Sequence, residues 1–321
     1  TYTKPAFIAT GDSTTERIIS SADGTTWTGT LTNQVFTTYG YAVAAAGTYA
    51  VPTITSRFYI AAGFGGNSLA FSYDLISWQG LGATTFTSGC NNVVWNGSIW
   101  VGVGQGGNTL AYSTDGFTWT GLTTTVFLTY GFNVAWNGSI WVAVGNGTNT
   151  IAYSFNGITW VGLSTTFITT SGQSVAWNGS NLWMAVGTGT NNFATSPNGI
   201  AWTARGAGPA TTMYGITYGN GLWVAVGSTA NTIAYSSNNG TSWTGLAATI
   251  FTTAGNNVQY NGTIFVAAGQ GGNTLAYSYN GTTWVGLGAT VFTTAGQRLS
   301  WNGSLWTATG QGGNTIATSP D

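Results

Sequence analysis

The sequence predicts an all-β chain folded as a β-propeller, and three observations predict it. The first is a repeat of about 41 residues: Trp27, Trp78, Trp119, Trp160, Trp202, Trp243 and Trp284 follow one another at intervals of 51, 41, 41, 42, 41 and 41 residues. The second is that all 16 tryptophans fall into three columns of that repeat. The third is that each repeat divides into four short β-forming runs punctuated by glycine-rich turns. A repeat that cannot bury its own faces must stack on its neighbours, which is how propeller blades form a ring.

The segment 134–163, VAWNGSIWVAVGNGTNTIAYSFNGITWVGL, shows the four runs in order, named a to d. Strand a, ending VAW, is followed by Asn137-Gly138, a pair whose tolerance of positive φ suits a tight hairpin. Strands b (IWVAVG) and c (TIAYS) show little polar alternation, as expected of a sheet covered on both faces. A second Asn-Gly turn, at Asn156-Gly157, leads into strand d (TWVGL). Strand a carries Trp95, Trp136, Trp177 and Trp301, with Tyr2, Tyr218 and Tyr260 in other copies. Strand b carries Trp100, Trp141, Trp183, Trp223 and Trp306, with Phe7, Tyr59 and Phe265 as substitutes. Fixed strand offsets and preserved bulk mark these rings as core packing.

The columns give eight copies of a, b and c and seven of d. Eight blades of four antiparallel strands, the last lacking its outer strand, fit this count, and a seven-bladed ring with displaced N-terminal strands is the alternative. The repeat leaves no linker, so residues 1–321 read as one domain. Ten extra residues around TYAVPTITS (48–56) lengthen the a–b hairpin of the second repeat, contain Pro52 and are expected outside the sheet.

Composition excludes several functions. The chain has 5 Lys+Arg, 6 Asp+Glu and no histidine, with a net charge of −1. No basic face exists for nucleic acid, the usual ligands of a catalytic transition metal are missing, and no cofactor is expected. Cys90 is the single cysteine and reads as a buried thiol. No apolar run approaches the ~20 residues that span a bilayer, so a soluble chain without membrane insertion is expected.

The c–d hairpins read SYDLISW (72–78), STDGFTW (113–119), SFNGITW (154–160), SPNGIAW (196–202) and SYNGTTW (278–284); Ser236, Asn238, Gly240 and Trp243 follow a longer spacing. This pattern resembles the Asp-box, or bacterial neuraminidase repeat, of sialidase-like propellers. The wider repeat also looks like tandem repeats in uncharacterised propeller proteins of giant viruses and environmental sequences. The resemblance implies a structural role for Asp74, Asp115, Asn156, Asn198, Asn238 and Asn280, which cap the turn, and for Trp78, Trp119, Trp160, Trp202, Trp243 and Trp284, which pack between sheets. Asparagine closes such a turn as well as a carboxylate does and suits metal binding less, so no metal is expected there.

Sialidases of that family use an arginine triad, a tyrosine nucleophile with a glutamate partner, and an aspartate acid/base. This chain offers Lys4, Arg17, Arg57, Arg205, Arg298 and the single Glu16, none in a family-like motif. Paired carboxylates facing one bond, and a histidine base for serine or cysteine chemistry, are missing as well. No catalytic residue is assigned, and the expectation is not an enzyme.

In sialidase-like propellers the b–c and d–a loops share the ligand face. Here the b–c loops follow the form GQGGNT (104–109), which places Asn67, Asn108, Asn149, Asn191, Asn231, Asn273 and Asn314 as a candidate ligand-binding ring of amides beside threonine hydroxyls. Strands rather than helices follow these loops and no lysine appears, so they are not phosphate loops. The leading expectation is a multivalent, lectin-like glycan-binding module, extracellular or displayed on a cell or virion surface. The alternative is a structural, self-assembling component of a capsid, fibre or sheath, a homo-oligomer favoured by the near-absence of charge. A sialidase-like glycoside hydrolase is the remote third. The eight Asn-x-Ser/Thr sequons, such as Asn137 and Asn261, follow from turn chemistry alone.

Overall fold

A computed structural model describes residues 7–10, 18–21, 27–29, 39–51, 54–73, 77–208, 210–301, 306–312 and 316–319. Asp74, Asn314, Tyr2, Pro52 and Glu16 therefore lie outside the described residues. All described elements are strands, grouped into eight antiparallel sheets around one axis.

Blade 3 is representative: strand a is Gly89–Trp95, b Trp100–Gln105, c Leu110–Ser113 and d Thr120–Gly121. Blades 2 and 4 to 7 repeat this plan, with their a strands at Tyr39–Val51, Tyr130–Trp136, Ser171–Trp177, Thr212–Gly219 and Phe251–Tyr260. Blade 8 is described through three strands, Ala295–Trp301, Trp306–Gln311 and Ile316–Ser319. Blade 1 is described as Phe7–Thr10, Ile18–Ser21 and Trp27–Gly29, its b, c and d strands. Strand b of blade 1 touches both strand a of blade 2 and strand b of blade 8, which closes the ring. The count of eight follows, not seven.

One expectation is corrected. The extra residues of the second repeat do not leave the sheet, because Thr48, Tyr49, Ala50 and Val51 pair with Arg57, Ser56, Thr55 and Ile54 and lengthen the a–b hairpin as a ladder. Proline excludes a residue from donating in a ladder, but it does not prevent its neighbours from pairing.

Consecutive blades are also joined by single backbone bridges from strand b to the next strand a: Phe64 to Gly89, Gln105 to Tyr130, Asn146 to Ser171, Thr188 to Thr212, Ser228 to Ala254 and Gln270 to Ala295. These pairings tie blades 2 to 8 into one continuous hydrogen-bonded band.

The core lies between blades. Trp141, Trp183 and Trp223 are 0% exposed, and each rests on the a-strand aromatic it pairs with, as Trp136 does on Trp141 with ring centroids 5.0 Å apart. Their indole N–H groups, with those of Trp306 and Trp243, have no partner. Those columns therefore gain from bulk and contact rather than from hydrogen bonding. The d-column indoles are different: Trp119, Trp160, Trp202 and Trp284 each donate Nε1–H to the carbonyl of the turn glycine three residues earlier, at 2.9–3.1 Å. Trp243, in the longer hairpin, instead stacks on Phe193 with centroids 4.3 Å apart.

Candidate binding rim and central channel

The c–d hairpins form one end of the ring. Ser113 Oγ accepts the Gly116 N–H at 2.8 Å, while Asp115 Oδ1 accepts the N–H groups of Phe117 and Thr118 at 2.8 and 2.7 Å. Asn156, Asn198 and Asn280 hold the same two donors with an amide oxygen. Partial burial works to raise the Asp115 carboxyl, and the hydrogen bonds from Thr118, Phe117 and Ser113 outweigh it, leaving its pKa below the ordinary value. Gly116 holds φ at 78°, and any Cβ there would run into the Phe58 ring of the preceding blade. The hairpin is thus a wedge driven between blades, and its polar atoms are occupied in forming it.

The b–c and d–a loops form the other end. Asn108 lies in a b–c loop, yet its Nδ2 donates to Thr85 O at 2.6 Å and its Oδ1 accepts the Thr123 N–H at 2.8 Å. It staples the loop entering its blade to the loop leaving it. Asn149 joins Val126 O and Ser164 N, and Asn273 joins Ile250 O and Gly288 N, in the same way. Asn67 and Asn231 accept the N–H groups of Gly82 and Ala247.

Close packing accompanies the staple. A Cβ on Gly121 would overlap the Asn108 amide, so the d strand has glycine where the asparagine lies across it. Thr123, Ser164 and Ala247, the residues held by the amide oxygen, are non-glycines with φ of 63°, 59° and 58°. Such left-handed residues cost on the order of 1–3 kcal/mol and persist only where their surroundings fix them.

Blade 5 departs from this pattern. There Ala204 replaces the strand glycine, and Asn192 rather than Asn191 donates to Ala210 O at 2.5 Å and accepts the Gly208 N–H at 2.7 Å. The Asn191 amide makes no hydrogen bond within the chain.

Of the candidate ring, Asn67, Asn108, Asn149, Asn231 and Asn273 direct their amides into the loops, and of the described six only Asn191 leaves its amide free. What the rim presents instead is a column of hydroxyls just ahead of strand a, or among its first residues, in blades 3, 4, 5, 7 and 8, whereas in blade 6 the Thr211 hydroxyl is bonded to that of Thr229. Ser88, Thr129, Thr170, Thr253 and Thr294 are exposed, and their hydroxyls bond nothing within the chain. Beneath them Phe86, Phe127, Ile168, Phe251 and Phe292, all 0% exposed, anchor the same loops in the core.

The central channel is lined by the a strands, and each described a strand of blades 2 to 8 contains a register shift. The extra residues are Tyr41, Asn91, Phe132, Gln173, Tyr214, Asn256 and Gln297. Such bulges re-aim side chains out of a ladder. Asn91 and Asn256 reach the Gly131 and Gly296 carbonyls of the next blade, each at 2.8 Å.

Arg298 follows the last of these positions. It is open to water and yet encircled by the chain, the situation of a side chain inside a channel, and this surrounding lowers its pKa while Tyr41 opposes the shift. Its guanidinium lies 5.9 Å from the Tyr41 ring centroid and forms no ion pair. Arg205 is committed elsewhere, to the Thr195 hydroxyl at 2.8 Å.

No family model matches the chain, and no curated protein matches it either. Solved structures do resemble it. It is similar to the computationally designed Ika8 protein with a TM-score of 0.62 and 13% identity, covering 100% of this chain and 97% of that one. It is similar to YCF48 from Cyanidioschyzon merolae with a TM-score of 0.60 and 15% identity, over 87% and 94% of the two chains. A structure of YCF48 bound to D1 peptide gives 0.58 and 17%, over 81% and 88%. At these identities the likeness is one of fold. The chain is a β-propeller.

Proposed function

We propose that this chain is a non-enzymatic propeller module that binds its partner across the mouth of the channel, and that the partner's chemistry is that of a glycan. The observation that carries this reading is the ring of exposed, unbonded hydroxyls at Ser88, Thr129, Thr170, Thr253 and Thr294. Neutral groups that both donate and accept match sugar hydroxyls, and repetition around a ring lets individually weak contacts, each net about 0.5–1.5 kcal/mol, combine through multivalency. A neighbour recorded with a bound peptide supports the use of such a ring as a docking platform. The serine, asparagine and tryptophan geometry of the c–d hairpins supports kinship with Asp-box propellers, and a sequence with a single glutamate and no family-like arginine motif speaks against their hydrolytic chemistry. A nearly uncharged surface suits display outside the cell or on a virion.

The test is a glycan array probed with the soluble chain and with Thr253→Val/Thr294→Val. Binding by the parent, lost in the double variant with its melting point unchanged, is the expected result. No glycan bound, together with ordered polymers in micrographs, overturns the reading in favour of self-assembly. Turnover of a fluorogenic sialoside would overturn the non-enzymatic reading.

A further inference from the structure

Asparagine–glycine pairs stand in two kinds of turn at one end of the ring. Trp141 pairs with Ser154, which sets the a–b turn before the first beside the c–d hairpin after the second. Three a–b turns carry Asn96-Gly97, Asn137-Gly138 and Asn261-Gly262, and three c–d hairpins carry Asn156-Gly157, Asn198-Gly199 and Asn280-Gly281. In all six the asparagine is held alike. Asn137 Oδ1 accepts the N–H groups of Ser139 and Ile140 at 3.0 and 2.9 Å, and Asn156 Oδ1 those of Ile158 and Thr159 at 2.9 and 2.8 Å. Asn96 and Asn261 repeat the first arrangement, Asn198 and Asn280 the second. Two donors on one carbonyl oxygen stabilise the negative charge that develops there when its carbon is attacked.

The glycines differ. Gly157 is buried, its N–H donates to Ser154 Oγ at 2.9 Å, and a Cβ there would press on Val101 and Trp141. Gly199 and Gly281 are buried too and donate to Ser196 and Ser278 Oγ, each at 2.8 Å. Gly97, Gly138 and Gly262 are exposed instead, and their N–H groups bond nothing within the chain. Nothing lies within 4 Å of where a Cβ on any of these three would stand.

We propose that Asn96, Asn137 and Asn261 are sites of self-modification, each converted to aspartate or isoaspartate by the free glycine amide beside it, and that Ser154, Ser196 and Ser278 protect the hairpin asparagines from the same reaction. The glycine nitrogen gives its proton to hydroxide and attacks Cγ. The new N–Cγ bond closes a five-membered succinimide, the Cγ–Nδ2 bond breaks, and ammonia leaves with a proton from water, which restores the hydroxide. Water then opens the ring at either carbonyl, and nothing is oxidised or reduced. In the hairpins the electrophile is presented equally well, but the nucleophile is bonded and out of reach of hydroxide. Each conversion adds one negative charge, so the three take the net charge of the chain from −1 to −4. That charge collects at the end away from the hydroxyl rim, where it opposes association of rings through that end.

The experiment incubates the folded full chain at pH 6 and at pH 8, alongside the chain in concentrated urea, and follows each asparagine by peptide mapping with mass spectrometry, isoaspartate being separated from aspartate by chromatography. In the folded chain Asn96, Asn137 and Asn261 should convert about tenfold faster, or more, than Asn156, Asn198 and Asn280, because one hydrogen bond and burial hold back the hairpin nitrogens. Conversion should also be faster at pH 8 than at pH 6. In urea, where every site is an exposed asparagine followed by glycine, the six rates should come together. Ser154→Ala, shown to be folded by its melting curve, should raise conversion at Asn156 towards that at Asn137. Equal rates at the six sites of the folded chain, a preference that persists in urea, or no change at Asn156 in Ser154→Ala overturns the proposal. Thr253→Val/Thr294→Val should leave all these rates unaltered, so failure of the glycan reading and failure of this one are distinguishable.

Discussion

Replacing Asn108 by alanine tests whether the loop asparagines serve the fold or a ligand. The change deletes the bonds to Thr85 O and Thr123 N–H, at 2.6 and 2.8 Å, the first part-buried and the second exposed. Two neutral hydrogen bonds are worth about 2 kcal/mol together. Thr123, held at φ 63° by that amide, also loses its restraint, so the total loss should be about 2–3 kcal/mol. For a chain of 321 residues this lowers the melting point by roughly 4–6 °C, at about 2 °C per kcal/mol.

Asn191→Ala is the internal control, because that amide bonds nothing within the chain, and its effect should stay within about 0.5 kcal/mol. Asn108→Asp should fall between the two, keeping the acceptor for Thr123 and losing the donor to Thr85. Calorimetry and denaturant titration by tryptophan fluorescence read the series. Equal melting points for Asn108→Ala, Asn191→Ala and the parent would refute the staple, above all if Asn108→Ala abolished ligand binding while leaving stability untouched.

Gly121→Ala should destabilise by pressing on the Asn108 amide, and adding Thr109→Asn with Asn108→Thr, which moves the amide to the place it has beside Ala204, should recover much of the loss in a mutant cycle. Thr123→Gly should raise stability by about 1 kcal/mol by removing left-handed strain, as the equivalent Gly82 and Gly288 already do; an unchanged or lower denaturation midpoint would contradict this. Trp141→Phe should cost far less than Trp141→Ala, about 3–5 kcal/mol for the latter, because the buried indole N–H has no partner and Phe265 already fills the same column. Asp115→Asn should be nearly neutral at pH 7. The lowered carboxyl pKa of Asp115 means that its stabilisation is present above its unfolded-state pKa and is lost as pH falls through the folded one, so the parent, and not the variant, should show that contribution fading in acid melts. Cys90, buried and with its thiol pKa raised by desolvation, should resist alkylation in the native protein and react on unfolding.

The architecture was legible because its signals are local and periodic. Indoles recur at one interval, and Asn-Gly pairs mark hairpins without reference to anything distant. The asparagine staples were not legible. Asn108 bonds a carbonyl 23 residues before it and an N–H 15 residues after it, and nothing in a glycine-rich loop tells where an amide will land. The strand glycine at Gly121 was the available clue, since a side chain is missing where the asparagine lies. In blade 5 the role passes from Asn191 to Asn192, a change that alignment by spacing could not detect. The hydroxyl column was visible as the paired threonines of TIFTTAG, but which hydroxyls remain unbonded depends on contacts across blades. The position of Arg298 inside the channel required the ring to close.

The residue inserted in every described a strand of blades 2 to 8 stands outside the ladder, so no pairing rule dictates its identity. That freedom is already in use, for tyrosine, asparagine, phenylalanine and glutamine all occupy the position. Symmetry imposed elsewhere by stacking is thereby broken at these seven positions of the innermost strands. The chemistry of these positions can be rewritten one blade at a time, by evolution or by an engineer, while the repeating frame that carries it stays unaltered.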